Sequence, residues 1–112
     1  VKRDADVIRK LLFEMEESSE WQFTHDYDED EKNEYYHLEL MKDVGLITNV
    51  GKYGFRLTSM GHDYIDAIRN DTIWDKTKSG ASKVGGMTLG MMKDLALAYV
   101  KQEAADKLGI EL

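Results

Sequence analysis

The sequence predicts an α+β fold that is mostly helical, and three observations carry that expectation. Apolar residues recur at helical spacing, as Ile8, Leu11, Leu12 and Met15 do at i, i+3, i+4 and i+7. Two short runs with strand patterning flank a glycine-bounded turn, Gly51-Lys52-Tyr53-Gly54. The 112 residues include no proline, which suits long helices, and this length suits one domain.

Residues 4–17 read as the first helix. Asp4 and Asp6 complement the positive end of its dipole, and Ser18-Ser19 closes it. Trp21-Gln22-Phe23-Thr24 alternates apolar and polar, as a short strand does. A second helix is expected over about residues 33–44, with His37, Leu40, Met41 and Val44 inward and Leu38 beside them. Gly45 stops it, and Leu46 takes the apolar position of a Schellman-type cap. Residues 46–50 and 55–58 then form a hairpin, with Phe55 and Leu57 pointing one way and Arg56 the other.

Thr58 or Ser59 caps a third helix to about Arg69, with Gly61, Tyr64, Ile65 and Ile68 on one side. Asn70-Asp71 breaks it, and Thr72-Ile73-Trp74-Asp75 has the spacing of a cap and restart. Residues 79–86 (SGASKVGG) have the composition of a linker. Residues 88–108 form a long final helix closed by Gly109. It carries two apolar stripes, Met92/Leu95/Ala96/Tyr99 and Leu97/Val100/Ala104/Leu108. One is expected to cover the first helix and the core around the hairpin, the other to meet Ile73 and Trp74 or a second subunit. A homodimer through residues 88–108 is therefore one expectation.

Helix, short strand, helix, two-stranded hairpin and helix is the order of a winged helix-turn-helix domain with a C-terminal helical extension. On this reading residues 1–78 are the winged-helix-like part, 79–86 a linker, and 87–112 a helix packing back on the same structural unit. Two tracts, Tyr36-His37-Leu38-Glu39-Leu40-Met41-Lys42-Asp43-Val44-Gly45-Leu46-Ile47 before the hairpin and Phe55-Arg56-Leu57-Thr58-Ser59-Met60-Gly61 after it, resemble those of bacterial winged-helix regulators. A closer resemblance covers nearly the whole chain. Lys2-Arg3-Asp4-Ala5-Asp6-Val7-Ile8-Arg9-Lys10-Leu11-Leu12, Tyr36-His37-Leu38, the long tract from Leu57 through Gly61-His62-Asp63-Tyr64 to Trp74, and Gly85-Gly86 followed by Lys93-Asp94-Leu95-Ala96 look like a bacterial and phage domain-of-unknown-function family, number 2513. That resemblance implies a winged-helix-like fold and a phage or mobile-element context, with no assigned activity.

Charge complicates the reading that such a fold invites. The formal net charge is −7, and all of it falls in residues 1–70, which hold 16 acids and 9 bases against 6 and 6 in residues 71–112. Residues 26–34 (DYDEDEKNE) concentrate six carboxylates, Asp26, Asp28, Glu29, Asp30, Glu31 and Glu34, around one lysine. Such a tract repels a phosphate backbone. It is either a solvated loop and helix start or a docking patch for a basic partner. The basic cluster Lys2, Arg3, Arg9 and Lys10 would pair with it in the plainer case.

Several chemistries lack their residues. Without cysteine there is no disulfide, thiolate ligand or thiol nucleophile. Asp26-x-Asp28-x-Asp30 starts like a calcium loop, but Glu31 and His37 stand where Gly and Glu are required. No zinc spacing, phosphate loop or nucleophile elbow is present, so neither a metal, a cofactor nor an enzymatic activity is expected. His37 on an apolar stripe reads as a buried histidine satisfied by hydrogen bonds, with pH sensing or ligand binding as the alternative. His62 and Asp66 at i, i+4 read as a surface pair. No leader or membrane-spanning run is visible, and cytoplasm is the default expectation.

For nucleic acid, the helix after the acidic tract would present Tyr35, Glu39 and Lys42, and the hairpin would add Lys52, Tyr53 and Arg56. The expected function is a DNA-binding-type regulatory module. The alternative is an acidic protein-interaction or inhibitory module that mimics nucleic-acid charge.

Overall fold

The computed structural model describes residues 2–24, 31–86 and 88–111. Five helices and three strands follow in the order α1 (Ala5–Glu17), β1 (Phe23–Thr24), α2 (Lys32–Asp43), β2 (Ile47–Val50), β3 (Gly54–Leu57), α3 (Ser59–Ile68), α4 (Asp71–Lys83) and α5 (Leu89–Leu108) among the described residues. The α+β, mostly helical expectation is met. Two compact units divide the chain, residues 1–65 and 66–112, with α3 contributing to both.

In the first unit, α1 starts where Asp4 caps it, the carboxylate accepting from the N–H groups of Asp6 and Val7. Its apolar stripe buries Ile8, Leu11, Leu12 and Met15, as the spacing predicts. The sheet is antiparallel with β3 central and strand order β1-β3-β2. Phe23 pairs with Phe55, Ile47 with Leu57, and Thr48 with Arg56. Strand alternation buries Phe55 and exposes Arg56, again as expected.

The turn from α2 into β2 is a Schellman motif. Leu46 N–H donates to the Met41 carbonyl and Gly45 N–H to that of Lys42, each at 3.0 Å, with Gly45 at φ +81°. Thr58 ties α3 to this turn. Its N–H donates to the Leu46 carbonyl at 3.0 Å, its hydroxyl contacts the carbonyls of Gly45 and Leu46, and its Oγ1 accepts from Gly61 N–H at 3.0 Å. That last bond makes Thr58 the cap of α3.

In the second unit, α4 packs along α5. The start of α4 differs from the expected Thr72 cap. Asn70 caps it, its side-chain oxygen accepting from Ile73 N–H at 3.1 Å. The linker expectation for residues 79–86 fails over residues 79–83, which complete α4. Thr77 is buried with its hydroxyl donating to the Ile73 carbonyl at 2.7 Å, and Ala81 is buried one turn on. Only then does a second Schellman motif at Gly85-Gly86 end the helix. Thr88 and Gly109 bound α5 as expected. The stripe holding Leu95 and Tyr99 faces α4, where both approach Gly80, while Ile73 shares a groove with Val100 and Ala104 of the other stripe.

Candidate nucleic-acid interface

Helix α2 buries His37, Leu38 and Met41. Leu40 and Val44, expected inward with them, are only half-buried, so the helix is turned from the expected orientation. The reason lies at Tyr35. Its ring meets Phe55 edge-on, with centroids 6.5 Å apart and planes at 73°. Tyr35 was expected outward and is instead half-buried against the sheet. Tyr36 takes the outward position at 44% exposure. Spacing from the buried 37/38/41 triplet would have found it, had the histidine and Leu38 been chosen as the stripe's centre.

His37 holds two segments together. Its Nε2 accepts from the Asp4 backbone N–H at 2.9 Å, and Nδ1 lies 2.7 Å from the Asn33 carbonyl. A carbonyl only accepts and an N–H only donates, so the ring is the neutral Nδ1–H tautomer. The buried-histidine reading stands, and both ring nitrogens are occupied.

The remaining candidates have different immediate partners. Lys42 pairs with Glu39 at 3.1 Å along α2. Lys52 lies 5.6 Å from the centroid of the Tyr53 ring at the hairpin tip, where Tyr53 is 73% exposed. Gly51, at φ +63°, makes the turn that projects them. Arg56 goes elsewhere. It donates to the Leu57 carbonyl at 3.1 Å and lines a groove of about 300 Å³ with Glu16, Glu20, Trp21, Phe23 and His62. None of the other five nucleic-acid candidates lines that groove.

Of the acidic patch, Asp26, Asp28, Glu29 and Asp30 lie outside the described residues. Glu34 accepts from Lys10 at 2.8 Å, with Glu14 3.7 Å from the same ammonium. The hydrogen bond and charge of Glu34, then the charge of Glu14, hold the Lys10 ammonium above its ordinary value. One member of the basic cluster is thus engaged by the acidic tract, as the plainer reading expected. Asp66 is engaged by Arg69 at 3.2 Å.

No group of three or more metal-ligating side chains occurs among the described residues. No helix among them is long and apolar enough to cross a membrane. What the first unit exposes is an aromatic–cation pair at the hairpin tip, Lys52 and Tyr53, and Tyr36 on α2.

A family model described as "Hypothetical protein (DUF2513)" matches residues 2–88. A protein of Haemophilus influenzae described as "Uncharacterized protein" is 30% identical over 118 residues, covering 94% of this chain and 100% of its own length. No solved structure matches.

Proposed function

The chain belongs to the DUF2513 family, and from that premise we propose that its first unit is a winged-helix-type module that contacts duplex DNA within a regulatory protein. The observation that carries this is the sheet. Strand order β1-β3-β2, with α1 before β1 and α2 before an antiparallel β2–β3 hairpin, supports the winged-helix reading, and the hairpin ends in the exposed Lys52-Tyr53 pair. On this reading the hairpin is the wing, its tip reaches a minor groove, and α2 lies along the adjacent major groove with Tyr36, Glu39 and Lys42.

Electrostatics sets the strength. Lys42 is shared with Glu39, and Arg56 lines a groove with Glu16 and Glu20. Few phosphates are neutralised, so affinity is modest and its salt dependence shallow, near one unit of log–log slope per phosphate contacted. Titration of labelled duplex at two salt concentrations tests the proposal. Binding that weakens with salt and drops about tenfold in Lys52→Glu/Tyr53→Ala supports it. Arg56→Glu is expected to change binding less than the tip variant does. Absence of binding at low salt removes the DNA reading and leaves the acidic protein-docking module.

A further inference from the structure

Helix α5 needs more cover than α4 gives it. Met92 and Ala96 are buried, and Leu95 and Tyr99 meet Gly80 of α4. Val100, Ala104 and Leu108 recur at i, i+4 and i+8 on another side, where Val100 is 37% and Leu108 67% exposed. A groove of about 310 Å³ runs beside them, with Ile73, Val100 and Ala104 in its apolar lining and Glu103 and Lys107 among its polar groups.

We propose that a second copy of the chain occupies this face, its α5 antiparallel to the first across a two-fold axis at Ala104. The small side chain on the axis lets the helices approach to about 8–10 Å. Val100 and Leu108 stand four residues to either side of Ala104, so Val100 of each copy meets the partner's Leu108. A two-fold axis perpendicular to both helices sets each flank against its own counterpart. Glu103 and Lys107 share one flank and are joined within the helix at 2.8 Å. With the axis at Ala104, Glu103 stands opposite the partner's Ala105, two positions from the partner's Lys107, so each Lys107 side chain reaches along this flank toward the partner's Glu103. That flank is complementary in charge to itself, whereas a uniformly acidic or basic partner would leave one of the two charges opposed. A single helix pair falls short of the roughly 1,200 Å² of a stable interface. The dimer is therefore concentration-dependent. It does not rest on DNA contact.

Sedimentation velocity of the full chain over a concentration series tests this, with far-UV circular dichroism confirming that each variant keeps its helices. The expected result is an average mass rising toward two chains, displaced to about tenfold higher concentration in Glu103→Lys and in Lys107→Glu. Mixing these two variants restores association. The basic flank of one then meets the acidic flank of the other, although neither regains its within-helix pair. Ala104→Glu, which sets like charges on the axis, abolishes the mass rise. A wild-type chain that stays at the mass of one copy throughout overturns the proposal. So does a dimer that the variants leave unchanged, or a mixture that fails to associate.

Discussion

The carbonyl oxygen of Leu46 stands 2.1 Å from the point that a Cβ on Gly61 would occupy. The same carbonyl accepts from the Thr58 N–H. The α2–β2 turn and the first turn of α3 are therefore pressed together, and glycine is required at 61 by the neighbouring backbone, since no positive φ is involved. This gives a physical reason for the paired tracts Val44-Gly45-Leu46-Ile47 and Leu57-Thr58-Ser59-Met60-Gly61.

Gly61→Ala is accordingly expected to destabilise the protein by roughly 3 kcal/mol or more, although alanine in a helix ordinarily gains about 1 kcal/mol over glycine. Urea unfolding measures it. A midpoint equal to wild type would show that the two segments separate without cost.

The same substitution at Gly80 should behave differently. A Cβ there would lie 2.9 Å from Cδ2 of Leu95 and 3.3 Å from the Tyr99 hydroxyl, both ends of side chains that can shift. The helix-propensity gain of about 1 kcal/mol offsets the crowding, so Gly80→Ala stays within about 1 kcal/mol of wild type. Thermal unfolding of the two alanine variants side by side checks the contrast.

His37 bridges Asp4, the cap of α1, to Asn33 in α2. Replacing it with leucine leaves the Asp4 N–H and the Asn33 carbonyl without those partners, at a cost of about 2 kcal/mol. Nitrogen chemical shifts of the wild-type ring should report the Nδ1–H tautomer. An Nε2–H signature would contradict the bridge.

Tyr64 gives the alkaline limit. Burial pushes its phenol up to about 12, and the charge of Arg9 opposes that only in part. Its folded value lies above the unfolded value of about 10, so the stabilisation is complete below pH 10. Between about pH 10 and 12 the unfolded chain loses this proton while the folded chain keeps it, so stability falls by roughly 2–3 kcal/mol. Unfolding curves of wild type and Tyr64→Phe over that range should diverge in slope, the variant losing less.

Much of the fold is written locally. The α1 stripe, the Gly45 stop, the hairpin around Gly51, the Thr58 cap and the Thr88-to-Gly109 bounds of α5 each follow from a few adjacent residues. What escaped depends on contacts between elements. Tyr35 turns inward because Phe55 waits on β3, and no periodicity within α2 carries that information. Gly80 looks like a helix breaker in sequence, yet its missing side chain admits Leu95 and Tyr99. The candidate site suffered most from this. Its hairpin tip was legible from the turn and Tyr36 from the spacing of a stripe centred on His37 and Leu38, but the placement of Arg56 in a groove lined by Glu16 and Glu20 needed the tertiary arrangement.

Amide spectra of the labelled full chain, recorded while a short duplex is added at low salt, test DNA contact by the first unit most directly. The account predicts shift changes at Lys52 and Tyr53 and along the Tyr36 side of α2, with α4 and α5 unmoved by the DNA itself. Spectra unchanged throughout, or changes confined to residues 66–111, would contradict it.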